Sequence, residues 1–222
     1  QANWYSIIFS KLFNVKIISR SNTAPEGWSN NSFKKILYRF ILNLADEIIV
    51  NSHEFKKSLK KNFNINSICI YNPIDKKTVL KKSKINLKFK FFNNKKLKLI
   101  CVGRFTDQKN QMLILEAIRY LANKIPIKVL IAGKGNEFSK LNSFINKNRL
   151  NENVKLLDFL PNPYNFIKKA DVVILSSNYE GLPNVLLEAQ CLKKIILSTK
   201  CPTGPKEILM NGRAGIFFKM ND

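Results

Sequence analysis

Short, almost wholly apolar runs recur along this chain, and a helix-spaced segment follows each of them. Leu97-Lys98-Leu99-Ile100-Cys101-Val102, Val129-Leu130-Ile131-Ala132, Val172-Val173-Ile174-Leu175 and Ile195-Ile196-Leu197 carry hardly a polar side chain. Runs of this kind mark strands buried on both faces, as in parallel sheets covered by helices. Residues 111–121 place Leu113, Ile114, Ala117, Ile118 and Leu121 on one helical face. Strand and helix patterns alternating in this way predict an α/β fold with a parallel sheet and helices on both faces. Nearer the start, residues 32–44 carry an apolar stripe of Phe33, Ile36, Leu37, Phe40, Ile41 and Leu44 beside Lys34, Lys35 and Arg39. Such a helix can lie on a membrane surface or pack on its own domain, and packing is the expectation.

Gly and Pro punctuate the pattern where strands end. In Tyr179-Glu180-Gly181-Leu182-Pro183-Asn184-Val185-Leu186-Leu187-Glu188, two carboxylates flank a tight loop with seven residues between them. A helix is expected to begin near Val185. Gly and Pro ahead of it leave backbone N–H groups at a positive helix end, where a phosphate or sugar oxygen can bind. Glu188, one turn into the helix, can accept two hydrogen bonds from a ribose diol. A plain loop-helix junction with two solvated glutamates fits the same residues, and both readings stay open on them alone. The loop leaves a strand's carboxyl end, however, where open α/β sheets bind ligands. Cys201-Pro202-Thr203-Gly204-Pro205 leaves the next strand in the same manner.

Two more strand ends carry candidate chemistry. Gly103 and Arg104 close the run 97–102, and Lys109 follows shortly after. A planar guanidinium and a mobile ammonium together suit a diphosphate. Gly133-Lys134-Gly135 closes the run 129–132, but Phe138 stands where a Rossmann fingerprint has its third glycine. That turn is either phosphate- or base-facing, or a plain strand-to-helix turn.

Taken in order, these motifs resemble the carboxyl-terminal, donor-binding domain of a family 4 glycosyltransferase with the GT-B fold. The resembling residues are Val102-Gly103-Arg104-Phe105 with Lys109, Ala132-Gly133-Lys134-Gly135, and Ala170-Asp171-Val172-Val173-Ile174-Leu175-Ser176-Ser177. Glu180-Gly181-Leu182-Pro183 with Glu188-Ala189, Gly204-Pro205-Lys206-Glu207-Ile208, Gly212 and Gly215 complete the series. Residues 15–75 resemble the end of that family's amino-terminal domain, through Ala45-Asp46-Glu47-Ile48-Ile49-Val50-Asn51-Ser52 and Ile70-Tyr71-Asn72-Pro73-Ile74-Asp75. The resemblance implies two Rossmann-like domains and roles position by position. Arg104 and Lys109 would hold the donor's diphosphate and stabilise the leaving nucleotide. Glu180 would contact hydroxyls of the donor sugar, supported by Gly181, Leu182, Pro183 and Asn184. Glu188 would hold the ribose, with Gly103 and Gly135 lining the site and the base near 157–160, at Leu160. It further implies a retaining reaction on a nucleotide-sugar substrate, without metal or other cofactor. The chain has no Asp-x-Asp and no His/Cys cluster with ligand spacing. Cys201-Pro202-Thr203-Gly204-Pro205-Lys206-Glu207 resembles a variant among N-acetylhexosamine transferases, which points to a UDP-linked donor. The expected acceptor is a surface glycan, such as lipopolysaccharide, or a lipid-linked oligosaccharide.

The chain opens at Gln1 rather than Met and closes at Asp222, soon after Ile216-Phe217-Phe218. Both domains do not fit in 222 residues. The expectation is a fragment: residues 1–75 from the acceptor-side domain, a polar linker at 76–96 holding the apolar patch 89–92, and a donor domain at 97–222. The family's usual active-site histidine would lie upstream. His53, the one histidine, is expected at a surface or capping position.

Charge adds a partner class. Lys and Arg total 38 against 15 acidic residues, a formal net charge of +23. Nucleic acid, a membrane surface and phosphorylated substrates are the anionic partners that suit it. The cations are mostly Lys scattered in pairs, not an Arg-rich helix with interleaved aromatics, which disfavours nucleic acid. Genome composition also accounts for a chain rich in Lys and Asn. An anionic leaflet fits better, since each nearby Lys contributes roughly 1 kcal/mol there. No apolar run reaches the ~18 residues needed to span a bilayer, so any membrane contact is expected to be peripheral; the expected location is the cytoplasm, at the membrane's inner face. Cys69, Cys101, Cys191 and Cys201 form no C-x-x-C pair and read as small core residues in a reducing compartment. A GT-B sugar-nucleotide epimerase is the alternative enzyme, although the motifs favour the transferase.

Overall fold

The computed structural model describes residues 2–22, 32–92 and 95–219, with side chains undescribed at 2, 3 and 32. Gln1, Asp222 and residues 93–94 of the expected linker lie outside them. The chain divides into two units. The first takes Gln1–Pro73 with Tyr179–Pro183 and Cys201–Ile208, and the second takes the rest.

In the first unit, helices α1 (Ala2–Leu12), α2 (Ser32–Asn43) and α3 (His53–Phe63) alternate with strands β1 (Ile18–Ser21), β2 (Glu47–Val50) and β3 (Ile68–Cys69). The strands pair in parallel in the order β1-β2-β3. Ile48 and Val50 of β2 meet Phe55, Leu59 and Phe63, which recur every four residues along α3 and are all buried. Ser52 caps α3 by accepting from the Phe55 N–H at 3.1 Å, and Asn64 ends the helix in the left-handed conformation at φ 51°. The stripe on α2 divides. Ile41 and Leu42 are buried with Ile7, and Leu37 packs against them, whereas Ile36 and Phe40 are 67% and 65% exposed. A stripe this wide on one helix cannot all face one core, so packing on its own domain holds for one edge only.

In the second unit, strands β4 (Leu97–Val102), β5 (Ile127–Ala132), β6 (Val154–Leu157), β7 (Val172–Leu175), β8 (Ile195–Thr199) and β9 (Ile216–Phe218) form a wholly parallel sheet in the order β6-β5-β4-β7-β8-β9. The helices are α4 (Lys76–Ser83), α5 (Gln111–Leu121), α6 (Phe138–Lys147), α7 (Tyr164–Lys169) and α8 (Asn184–Cys191); α9 (Gly204–Ile208) belongs to the first unit. The chain runs outward from β4 through β5 to β6, then returns to lay β7 on the other side of β4. Strand order therefore reverses between β4 and β7, the point where open α/β sheets form a ligand crevice beyond their carboxyl ends.

The core of this unit joins Leu99, Cys101, Val129 and Ile131 of the sheet to Ile114, Leu115 and Ile118 of α5. Leu115 is fully buried, although it lies off the helical face anticipated from the sequence, while Ala117 on that face is exposed. Part of the expected linker is helical. Asp75 Oδ1 accepts from the Thr78 N–H at 3.0 Å and starts α4, whose Val79 is buried. The Phe patch packs, with the Phe89 and Phe166 ring centroids 5.2 Å apart. Lys128, inside the otherwise apolar β5, is buried with its ammonium 4.7 Å over the Phe91 ring and donating to the Glu152 carbonyl. Ring face and carbonyl together compensate a cation taken out of water.

Candidate functional site

At the reversal point, β4 ends in Gly103 and the exposed Arg104. Gln111, buried at the start of α5, donates to the Arg104 carbonyl at 2.8 Å. Lys109 closes a 3-10 turn at Asp107–Lys109, and its aliphatic stem lies over Gly103. A Cβ on that glycine would stand 3.5 Å from the Lys109 Cδ. The loop leaving β7 holds this turn. Ser176 donates to the Lys109 carbonyl at 2.8 Å, and the Asn178 N–H donates to the Gln108 carbonyl at 2.8 Å. The Asn178 carboxamide donates to the Asp107 carbonyl at 2.9 Å and accepts from Asn110 at 3.1 Å. Two loops far apart in sequence are thus joined at the reversal point.

Beside this, a pocket of about 500 Å³ opens at the carboxyl ends of β5 and β6. Gly133, Gly135, Phe105, Phe138, Leu157 and Asp158 are among its lining. Gly135 sits so close to β4's exit that a Cβ would stand 2.1 Å from the Phe105 carbonyl oxygen. Phe138, in the place of a third glycine, begins α6 with its ring 6.0 Å from Phe105. The Lys134 ammonium and the Asp158 carboxylate pair at 3.4 Å at the rim. Leu160 is half-buried and is not among the residues lining this pocket.

Glu188, one turn into α8, is half-buried. Burial raises its carboxyl above the usual range, and a hydrogen bond from the Tyr164 hydroxyl offsets part of that. The Tyr164 phenol is raised in turn by burial, by the charges of Glu188 and Asp75, and by its bond to Glu188. Asn184 is exposed at the first position of α8.

The Glu180 loop belongs to the first unit. Glu180, Gly181, Leu182 and Pro183 are all buried. A Cβ on Gly181 would stand 2.0 Å from the Asn22 carbonyl oxygen and 3.0 Å from Asn51 Oδ1, a buried acceptor that has no hydrogen-bond partner among the described residues. The Gly204 N–H donates to the Gly181 carbonyl at 2.8 Å, and Asn72 donates to the Leu182 carbonyl at 3.4 Å. Glu207, on α9, accepts from the His53 and Glu54 N–H groups at 3.3 and 3.2 Å and from the Tyr71 hydroxyl. His53 is exposed, and its N–H is one of the donors at the start of α3 that Glu207 satisfies.

Gly103, Arg104, Lys109, Gly135, Leu160, Asn184 and Glu188 therefore lie in the second unit, and Glu180, Gly181, Leu182 and Pro183 in the first. Asn178, Gln111, Tyr164 and Thr203 were not anticipated as site residues. Asn178 and Thr203 stand in loops at strand ends, the one signal that could have found them.

Comparison with known proteins agrees with this architecture. Residues 82–222 match the family described as group 1 glycosyl transferases. An uncharacterised glycosyltransferase of Methanocaldococcus jannaschii is 33% identical over 91% of this chain and 53% of its own length. The N-acetylgalactosamine-N,N'-diacetylbacillosaminyl-diphospho-undecaprenol 4-alpha-N-acetylgalactosaminyltransferase of Campylobacter jejuni is 28% identical over 98% of this chain and 60% of its own. The chain thus spans somewhat over half the length of these relatives. Among solved structures, Anabaena HepE in complex with UDP-glucose superposes with a TM-score of 0.83 at 20% identity, over 98% of this chain and 62% of that one. The fold is that of the GT-B glycosyltransferases. By the match over residues 82–222, this chain is a member of the group 1 glycosyltransferases.

Proposed function

We propose that the chain supplies the donor-binding part of a retaining, metal-independent glycosyltransferase of family 4. The observation that carries this is the seating of Arg104 and Lys109 at the sheet's reversal point, with the β7 exit loop bonded across the Lys109 turn. Arg104 grips the donor diphosphate by its planar fork, and Lys109 neutralises the charge that grows on the leaving nucleotide as the glycosidic bond breaks. Glu188 accepts from the ribose diol. The base enters the pocket at Gly135 and Asp158, against Leu157. Glu180 contacts the donor sugar's hydroxyls, supported by the backbone N–H groups of Gly181, Leu182 and Asn184, with Pro183 between them. No residue here acts through a metal or cofactor.

UDP-linked N-acetylhexosamine is the donor we favour, and a lipid-linked or surface glycan the acceptor. The Campylobacter relative is named for transfer of N-acetylgalactosamine to a diphospho-undecaprenol-linked glycan. HepE was solved with UDP-glucose. Relatives from Erwinia amylovora and Staphylococcus aureus are named for amylovoran and capsular polysaccharide biosynthesis. Among the described residues no helix is long and apolar enough to cross a membrane. Peripheral docking of this basic chain on an anionic leaflet at the cytoplasmic face completes the proposal.

Calorimetric titration of UDP and GDP into the chain, beside its Glu188→Ala variant, tests the donor site. UDP binding that is lost in the variant supports the assignment. A folded chain that binds neither nucleotide refutes it.

A further inference from the structure

We infer that Thr203 is a positioning residue for Glu180, holding the backbone of the sugar-contacting loop through its hydroxyl. Thr203 is buried at 4% exposure and sits at φ 73°, in the left-handed region. A β-branched side chain is among the least suited to that conformation, which Gly and Asn adopt with far less strain. Its side chain therefore calls for a reason. The hydroxyl donates to the Glu180 carbonyl and lies 3.3 Å from the Gly181 carbonyl. The next residue adds a second bond, from the Gly204 N–H to the Gly181 carbonyl at 2.8 Å. Two successive carbonyls of the loop are thus turned toward Thr203 and Gly204. On another side, Gly181 meets the Asn22 carbonyl with no room for a Cβ.

These two peptide planes flank Gly181, so holding them fixes its backbone and pins the Glu180 Cα from which the side chain leaves. Glu180 itself is 5% exposed, so it has little freedom to regain a lost orientation by rotating in solvent. The strained conformation of Thr203 thus coincides with a hydroxyl seated on the loop's carbonyls.

The inference rests on Glu180 contacting the donor sugar, and the test separates the two. Affinities for UDP and for UDP-N-acetylglucosamine are measured calorimetrically on the chain and on Thr203→Ser, Thr203→Val, Thr203→Gly and Glu180→Gln. Their ratio reports the sugar alone. Expected is a loss of about five-fold in UDP-N-acetylglucosamine affinity for the Val and Gly variants, the size of one hydrogen bond. UDP affinity stays unchanged and the Ser variant stays near wild type. The Gly variant also relieves the strained φ, so a lost sugar increment there, without a lower melting temperature than the Val variant, excludes a purely structural role. If Glu180→Gln loses the sugar increment and the Val and Gly variants keep it, the positioning role is overturned while the role of Glu180 stands. If Glu180→Gln keeps the increment, or the wild type binds no UDP, the assignment of Glu180 fails and the role of Thr203 fails with it.

Discussion

Tyr164, at the first position of α7, holds the carboxyl of Glu188, one turn into α8, below where burial alone would put it. It anchors the proposed ribose ligand from a neighbouring helix and makes that ligand's charge sensitive to a single phenol.

A pH dependence follows from this pair. Burial holds the Glu188 carboxyl above its ordinary 4.5, with the Tyr164 bond pulling the other way. In the proposed site the ionised form accepts from the ribose diol, so UDP affinity is expected to fall as pH drops through the raised pKa. Tyr164→Phe removes a donor to the charged form and moves the midpoint further up. The stability contributed by this group has the same origin: it is fully present below the unfolded value and lost as pH rises through the folded one. UDP titrations across the acid range, with and without Tyr164→Phe, check the binding arm. Identical midpoints contradict the coupling.

Arg104→Ala and Glu188→Ala are each expected to weaken UDP binding about ten- to a hundred-fold, as loss of hydrogen bonds to charged groups does. Arg104 is exposed, so its removal should leave the melting temperature unaltered. Wild-type affinity in both variants rules out the site as drawn.

Asn178→Ala should act at a distance from the nucleotide. It deletes the side-chain bonds to the Asp107 carbonyl and from Asn110, which brace the turn bearing Lys109. The expected cost is about 1–3 kcal/mol of stability, with weaker UDP binding. Denaturant unfolding beside calorimetry measures both, and unchanged UDP affinity would show that the brace does not matter for the ligand.

Gly181→Ala places a methyl 2.0 Å from the Asn22 carbonyl oxygen. The two nearest atoms, the Asn22 carbonyl oxygen and carbon, are backbone, so the loop must move, at about 1–3 kcal/mol. A variant with wild-type melting temperature and sugar affinity would show that the loop tolerates displacement.

Glu207→Ala leaves the His53 and Glu54 N–H groups without their acceptor at the start of α3. Loss of a helix cap costs about 0.5–2 kcal/mol, and Glu207→Gln should recover part of it. Amide hydrogen exchange at the first turn of α3 reads the effect directly; protection equal to wild type in the Ala variant argues against capping.

Local pattern determined much of this protein. The almost wholly apolar runs of β4, β5 and β7 marked strands covered on both faces, and Gly or Pro at their ends located the loops and the helix start that carry Arg104, Lys109, Glu180 and Glu188. Those features depend on residues adjacent in sequence, so they are legible there. Tertiary structure decided the rest. Only packing assigned 179–183 and 201–208 to the first unit, turned part of the expected linker into α4, and split the stripe of α2 into buried and exposed edges. It also brought Asn178 to Asp107, Tyr164 to Glu188 and Thr203 to Glu180. Each of these is one hydrogen bond between residues many positions apart. Which partner such a polar group finds depends on the chain path between them, and periodicity carries no record of that path.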